Sequence, residues 1–250
     1  MIYIKSAGEV EKMRQSGLIL AECFEVIKPY IKPGIKTSEL DKITKEHILS
    51  KGAKPSFLNY AGFPGSICAS VNDVVIHGIP GSYELKEGDI ISLDVGVLKD
   101  GFHTDACRTF AVGEISPEAK RLMDVTEQSF FEGMKYAKAG NHLHDISAAI
   151  DAYVSSFGYG IVRDLVGHGI GTSLHEEPQI PNFRQWRRGI KLQPGMTLAI
   201  EPMVNMGDYD VEWLDDDWTV VTADGSLSAH YENTILITDG EPEILTLKSL

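Results

Sequence analysis

Cysteine is scarce in this chain, and its scarcity argues against two kinds of site. The sequence has 250 residues and three widely spaced cysteines, Cys23, Cys68 and Cys107, with no CxxC pair. An odd number of isolated cysteines favours neither a disulfide framework nor a zinc site built from thiolates. We therefore expect a protein of a reducing compartment.

The sequence also has no long apolar run, and it has fewer basic than acidic residues. No segment approaches the roughly 18 apolar residues of a membrane span, and the first residues contain no apolar core of a signal peptide. The chain carries 23 basic and 36 acidic residues, which gives a net charge of −13. This balance argues against a main task of binding nucleic acid or an anionic membrane. We expect a cytoplasmic protein.

What the sequence does contain is a faint internal repeat. Similar segments occur in pairs and in the same order: 24–34 with 130–140, 38–52 with 143–158, 77–79 with 168–170, 85–94 with 192–201, and 105–114 with 232–241. The second pair has the pattern of amphipathic helices, and each of these helices is predicted to end at a glycine. The last two pairs contain strand patterns rich in apolar and β-branched residues.

The order of these patterns predicts the fold class. Each half reads as helices followed by strands, which favours an α+β fold with an antiparallel sheet and its helices on one side. No linker rich in glycine, proline or serine separates the halves. We expect one domain over residues 1–250, with pseudo-repeats at about 10–115 and 116–245. Residues 206–226 are predicted to form a hairpin excursion between two strands.

The repeat pairs acid with acid. Asp94 matches Glu201, and Asp105 matches Glu232, each in or at the end of a predicted strand. A single aspartate in a strand is more often at a turn or in a salt bridge, but buried carboxylates that converge repel one another. Divalent cations are the simplest remedy, and an imidazole completes such a ligand set. His168, between two glycines, is the natural candidate.

The other histidines divide into two groups. His77 follows an apolar run, and we expect it to point into the same cleft, while His175 comes seven residues after His168. Roles in acid–base chemistry or in polarising a carbonyl suit both. His230 is two residues before Glu232 and is expected to support it. We expect exposed or structural positions for the remaining histidines: His47, His103, His142 and His144.

Several of these segments are similar to those of a known family. The chain resembles the type I methionine aminopeptidases, the pita-bread metallopeptidases of peptidase family M24, from about Ile4 to Thr246. The resemblance rests on five motifs, namely "SVNDVVIHGIP", "SLDVGVLKDGFHTDACRTF", "GHGIGTSLHEEPQ", "IEPM" and "SLSAHYENTILIT". It implies the pita-bread fold, a pseudo-two-fold curved antiparallel sheet with helices on its outer face.

The resemblance also implies an activity and a metal centre. Such an enzyme removes the N-terminal methionine when the second residue is small, using two divalent ions of Co, Mn, Fe or Zn. Asp94 would chelate one ion, Asp105 and Glu232 would bridge both, and His168 and Glu201 would complete the other. A bridging water or hydroxide would attack the scissile carbonyl, with Glu201 transferring a proton. His77 would contact the scissile nitrogen, and His175 would stabilise the oxyanion.

The resemblance further implies a methionine pocket and a set of partners. The pocket residues would be Phe57, Tyr60, Phe63, Cys68, Leu174 and Trp218, although plain core packing explains each of them equally well. Leu174 stands where bacterial relatives commonly carry phenylalanine, and Leu165 and Phe183 are further departures, which put the pocket's shape in doubt. The expected partners are the N-termini of nascent polypeptides, together with the ribosome. We expect a monomer without nucleic-acid specificity or membrane contact.

Three other functions compete with this one. A prolidase or Xaa-Pro aminopeptidase has related motifs but normally carries an additional N-terminal domain. A non-catalytic binding protein of the same fold would tend to lose metal ligands, whereas all five are present. Gly167, Gly169 and Gly171 suggest a nucleotide loop, but Thr172 occupies the third glycine position of the dinucleotide fingerprint, and no Walker lysine follows.

The resemblance makes one prediction about the chain itself. Residue 2 is isoleucine, which is not small, so we expect the protein to keep Met1. Intact-mass spectrometry of the purified protein checks this expectation, and a mass lacking one methionine would contradict it.

Overall fold

A computed structural model describes residues 2–247 of the chain, so the expectation for Met1 lies outside the described residues. The helices of the described part are α1 (Ala7–Ile27), α2 (Thr37–Ser50), α3 (Pro117–Met134) and α4 (Leu143–Ser155). Short 3-10 turns occupy Lys28–Tyr30 and Tyr60–Gly62. No helix within residues 2–247 is both long enough and apolar enough to cross a membrane.

Local sequence signals explain where the helices begin and end. The helices predicted over 38–52 and 143–158 are confirmed as α2 and α4. They are followed by Gly52 at φ 66° and Gly158 at φ 78°, a left-handed backbone that glycine adopts without steric cost. Helix α3 begins after Ser116, whose side chain accepts a hydrogen bond from the backbone of Ala119.

The strands of the described part are mostly short. They are β1 (Lys54–Pro55), β2 (Ile67–Val71), β3 (Val74–Ile76), β4 (Ile90–Lys99), β5 (Phe102–Ala111), β6 (Gly160–Ile161), β7 (Gly167–Gly169), β8 (Glu176–Ile180), β9 (Thr197–Ile200), β10 (Met203–Asn205), β11 (Val211–Trp213), β12 (Val220–Thr222), β13 (Ser228–His230), β14 (Asn233–Leu236) and β15 (Glu243–Ile244). All pairings between these strands are antiparallel.

The same strand arrangement occurs in both halves of the chain. Strand β4 lies between β2 and β5, and β9 lies between β7 and β14. Helices α1 and α2 pack against the first group, and α3 and α4 pack on each other and on strands of the second half. The predicted α+β class with antiparallel sheets is therefore confirmed. Of the matching central strands, β4 contains Asp94 and β9 leads directly to Glu201.

One match in the sequence repeat does not correspond to equivalent positions. The first "HGI" segment follows β3, which pairs with β12, whereas His168 of the second lies within β7, which pairs with β9. Their likeness is therefore local: both carry a histidine beside glycine, but on different sheets. The proposed boundaries of the pseudo-repeats stay a prediction.

A direct seam joins the two halves. Cys107 on β5 and Glu232, just before β14, exchange two backbone hydrogen bonds of 3.3 and 3.0 Å. On one side of this pair, the hydroxyl of Thr109 donates to the carbonyl of His230 at 2.9 Å and accepts from its N–H at 3.0 Å. The threonine hydroxyl thus replaces a backbone partner and extends the pairing by one position.

The hairpin predicted over 206–226 is also confirmed. Strands β11 and β12 pair with each other, and β12 continues the pairing to β3 in the first half. Trp218 lies on the approach to β12 and packs edge-to-face on Phe63, with their ring centroids 5.1 Å apart. The excursion therefore reaches across the molecule and supplies an aromatic side chain to the region between the halves.

Helix α1 has no room for a side chain at Gly17. A Cβ atom there would overlap the carbonyl oxygen of Leu245, a backbone atom. We expect Gly17→Ala to lower the free energy of unfolding by about 1–3 kcal/mol, because the backbone must shift to relieve the overlap. Denaturation in urea measures the change.

A matched control lies in the same helix. Gly8 is exposed and has no atom within 4 Å of the added Cβ position. Gly8→Ala should leave stability unchanged or raise it by up to about 1 kcal/mol, because alanine is the better helix former. Equal losses in the two variants would contradict the packing explanation.

Candidate metal and substrate site

Five predicted ligands come together at one cleft. Asp94 lies on β4, Asp105 on β5, His168 on β7, Glu201 directly after β9, and Glu232 directly before β14. All five are buried, and all five line one cavity of about 170 Å³. Strands from both halves of the chain therefore contribute to the site, as the pairing of acids in the sequence repeat led us to expect.

The distances between these side chains are short. One ligand atom from each of Asp105, His168 and Glu232 can be chosen so that the three lie within 4.8 Å of one another. Nε2 of His168 is 3.6 Å from Oε1 of Glu201. The side chains of Asp94 and Asp105 are close enough for the charge of Asp94 to raise the pKa of Asp105. This spacing is small enough for one or two cations to contact several side chains at once.

Burial and mutual repulsion dominate the electrostatics of the cleft. Burial raises the pKa of Asp94 above its usual value. Burial first, and the neighbouring carboxylates second, raise the pKa values of Asp105, Glu201 and Glu232 well above their usual range. The protein's own side chains therefore leave the negative charge of the cluster largely uncompensated.

The donor atoms fit a divalent metal ion. Asp94 Oδ1, Asp105 Oδ1 and Glu232 Oε1 are buried and have no hydrogen-bond partner among the described residues. Buried carboxylate oxygens without partners are costly, and first-row divalent cations accept this mixture of carboxylate and imidazole ligands. Nδ1 of His168 is 2.8 Å from the carbonyl oxygen of Gly169. A carbonyl can only accept, so Nδ1 carries the proton and Nε2 is left free as a ligand.

Several polar residues that the sequence did not single out hold the ligand-bearing backbone. The guanidinium of Arg108 donates to the backbone carbonyls of Cys107 and Glu232 and to the side chain of Asn233. It also stacks on Tyr231, 4.3 Å from the ring centroid. The only indication in the sequence was an arginine three residues after Asp105, within a predicted strand.

Two further side chains act in the same way. The hydroxyl of Thr234 accepts from the N–H of Asp105 at 2.8 Å and donates to its carbonyl at 2.9 Å. Nδ2 of Asn182 donates to the carbonyl of Glu201 at 3.0 Å. No pattern in the sequence distinguishes these residues, because their partners are backbone atoms of distant segments.

The remainder of the cavity is mainly apolar and aromatic. All the predicted pocket residues line it: Phe57, Tyr60, Phe63, Cys68, Leu174 and Trp218. Three apolar residues that were not assigned to the pocket line it as well: Ile76, Leu165 and Val166. Leu165 and Leu174, two of the three expected departures from the family pattern, therefore line the cavity, whereas Phe183 is not among the lining residues.

Two histidines face the cavity from opposite halves of the chain. His77 has φ +59°, an uncommon backbone for a residue other than glycine, and burial lowers the pKa of its imidazole to about 4. Nδ1 of His175 lies 2.7 Å from the hydroxyl of Tyr60. The rings of His175 and His168 are in contact, with centroids 4.3 Å apart. Both histidines are therefore placed beside the ligand cluster, as the sequence predicted.

The remaining histidines lie outside the lining of this cavity. His230 is buried, and its Nε2 lies 3.9 Å from Oε2 of Glu232. It is therefore next to a predicted ligand without lining the cavity. The histidines set aside in the sequence do not line the cavity: His47, His103, His142 and His144.

Comparison with known proteins agrees with the geometry. Residues 11–239 match the model of Metallopeptidase family M24. The chain is 58% identical over 247 residues to a methionine aminopeptidase of Clostridium perfringens, covering 99% of each protein.

Solved structures show the same relationship. A crystal structure of methionine aminopeptidase from Rickettsia prowazekii superimposes with a TM-score of 0.97 at 42% identity, covering 99% of this chain and 100% of that one. An Xaa-Pro dipeptidase from Bacillus anthracis has a TM-score of 0.81 at 25% identity, covering 98% of this chain but 62% of that one. The predicted pita-bread fold and family resemblance are confirmed: the chain belongs to metallopeptidase family M24 and, within it, to the methionine aminopeptidases.

Proposed function

We propose that this protein is a metal-dependent aminopeptidase that removes N-terminal methionine when the next residue is small. The proposal rests on two features that lie side by side in one cleft. A cluster of buried carboxylates with unpartnered oxygens lies directly beside an apolar, aromatic-lined cavity. The first suits divalent metal, and the second suits the side chain of methionine.

The ligand set supports a centre for two divalent ions. Asp94 would hold one ion, Asp105 and Glu232 would bridge both, and His168 and Glu201 would hold the other. When bound, the two cations would act as Lewis acids toward the scissile carbonyl and activate water at neutral pH. Carboxylate and imidazole ligands suit Co, Mn, Fe and Zn alike, so the supply of metal decides which is bound.

The apolar wall binds and orients the substrate. An unbranched thioether fills an irregular cavity of aromatic and aliphatic side chains, and sulfur makes favourable contacts at the edges of aromatic rings. Phe63 and Trp218 form an edge-to-face pair in this wall. With the methionine side chain held there, the scissile bond lies toward the carboxylate cluster at the other end of the cavity.

Proton transfer and charge stabilisation are assigned to three residues. Glu201 is buried next to His168, and burial raises the pKa of its carboxyl, which suits a group that takes up and returns a proton. Burial lowers the pKa values of His77 and His175, so each imidazole is uncharged at neutral pH. Each neutral imidazole then has one N–H and one lone pair: His175 can donate to the developing oxyanion, and His77 can accept from the N–H of the scissile amide.

The cellular setting follows from this activity. The substrates are the N-termini of nascent polypeptides that begin with methionine. We place the reaction in the cytoplasm close to the ribosome, with the protein acting as a monomer.

A peptidase specific for bonds before proline is the second candidate. The similarity of the fold to an Xaa-Pro dipeptidase favours considering it, although that protein is longer than this chain. A non-catalytic binding role is less well supported, because the cleft contains all five residues of the ligand set.

Substrate selectivity separates the two peptidase functions. We expect the enzyme to cleave Met-Ala-Ser and to leave Ala-Pro-Ala intact, because the apolar wall fits methionine. The measurement is release of the free amino acid by chelated enzyme that is titrated anaerobically with each metal. Cleavage of Ala-Pro-Ala alone would contradict the proposal.

Substitution of one bridging acid tests the metal centre. In Asp105→Asn a neutral amide replaces a charged ligand, so we expect turnover and metal content after dialysis to fall by orders of magnitude. The fold should survive, because the change removes one of several mutually repelling charges. Asp124→Asn is the control, since Asp124 is exposed and forms an ion pair with Lys120 on α3, outside the cavity lining. Wild-type turnover by Asp105→Asn would show that the bridging assignment is wrong.

A further inference from the structure

The two neighbouring imidazoles of the cleft meet different chemical groups at Nδ1. For His168 the group is the carbonyl oxygen of Gly169, 2.8 Å away, which can only accept a hydrogen bond. For His175 the group is the hydroxyl of Tyr60, 2.7 Å away, which can donate a hydrogen bond or accept one. Because each neutral imidazole has one N–H, the direction of the hydrogen bond at Nδ1 decides what Nε2 can do.

We propose that the Tyr60 hydroxyl donates to Nδ1 of His175 and so holds this imidazole in the Nε2–H tautomer, opposite to the tautomer of His168. Tyr60 is then a positioning residue that acts through His175, in addition to forming part of the pocket wall. The inference deepens the proposed function, because it rests on the role of His175 toward the substrate oxygen.

The opposite tautomers give the two rings separate tasks. Their centroids are 4.3 Å apart, so both rings border the same space. His168 has a free lone pair on Nε2 and can bind a cation. His175 presents an N–H instead, which cannot bind a cation but can donate to negative charge that develops on the substrate carbonyl. If Nδ1 of His175 kept the proton, its Nε2 lone pair would repel that charge.

The backbone around Tyr60 holds its ring in place. The 3-10 turn at Tyr60–Gly62 is closed by hydrogen bonds from Tyr60 N to Phe57 O and from Phe63 N to Tyr60 O, both 2.9 Å. Asn59 and Ala61 have φ values of 65° and 47°, a left-handed backbone that is costly for residues other than glycine. This turn directs the hydroxyl toward His175, with the ring centroids 5.3 Å apart.

The variant Tyr60→Phe removes the hydroxyl and keeps the aromatic wall. For Met-Ala-Ser we expect kcat to fall about tenfold or more, because the donor at Nε2 is no longer fixed. KM should stay within about twofold and metal affinity should be unchanged, since the wall and the ligands are intact. An unchanged kcat would overturn the proposal.

Tyr83→Phe is a matched control. Tyr83 is 40% exposed, as is Tyr60, and its hydroxyl donates to Asp89 at 3.0 Å, outside the cavity lining. The two substitutions therefore remove the same group from equally exposed rings. We expect kcat of Tyr83→Phe to equal that of the wild type.

A double-mutant cycle separates positioning from packing. If Tyr60 acts through His175, adding Tyr60→Phe to His175→Ala should change kcat no further. An equal loss in both backgrounds would show that the hydroxyl acts independently of His175 and would overturn the proposal.

The ring-nitrogen chemical shifts of zinc-loaded, ¹⁵N-histidine-labelled protein report the tautomer directly. We expect a protonated Nε2 and an unprotonated Nδ1 at His175, with a mixture of the two forms in Tyr60→Phe. A protonated Nδ1 in the wild type would overturn the assignment. Full turnover by His175→Ala would instead show that the proposed role of His175 is wrong, and the nitrogen shifts would then decide the tautomer alone.

Discussion

Repulsion among four buried carboxylates is the constraint around which this molecule is built. Burial raises the cost of each charge, and the close spacing raises it further. A protein that only needed stability would place apolar side chains at these positions. Retaining the acids makes the cleft depend on external cations, and it explains why buried oxygens of Asp94, Asp105 and Glu232 have no hydrogen-bond partner among the described residues. The imidazoles beside the acids are uncharged and do not compete with a metal ion for them.

The acids are held by backbone contacts more than by contacts between side chains. The seam between β5 and residues 230–234 consists of paired backbone bonds at Cys107 and Glu232, continued on both sides by threonine hydroxyls. The guanidinium of Arg108 also donates a hydrogen bond to the backbone carbonyl of Glu232. Carboxylates on such a ladder keep their separation when substrate enters, which a site on mobile loops would not ensure.

The sequence predicted the parts of the structure that depend on local pattern. The expected glycines, Gly52 and Gly158, follow the ends of helices α2 and α4, Asp94 lies within β4, and Glu201 comes directly after β9, because periodicity and capping are encoded within short segments. The pocket residues came from the family resemblance. The two "HGI" segments do not occupy equivalent positions, because a match of three residues does not determine which strands pair in a sheet. Arg108, Asn182 and the bond between Tyr60 and His175 were missed, because each depends on a partner that only tertiary packing brings near.

The seam between β5 and residues 230–234 also determines when, during synthesis of the chain, the cleft can form. Asp105 and its clamp Thr234 are 129 residues apart in the chain. Since synthesis proceeds from the N-terminus, the first two acids are made long before their counterparts, and contacts of such large sequence separation form late. The cleft that joins Asp94, Asp105, His168, Glu201 and Glu232 can therefore form only after residue 232 has been made. A nascent chain has no complete cleft until nearly all of its residues have been synthesised.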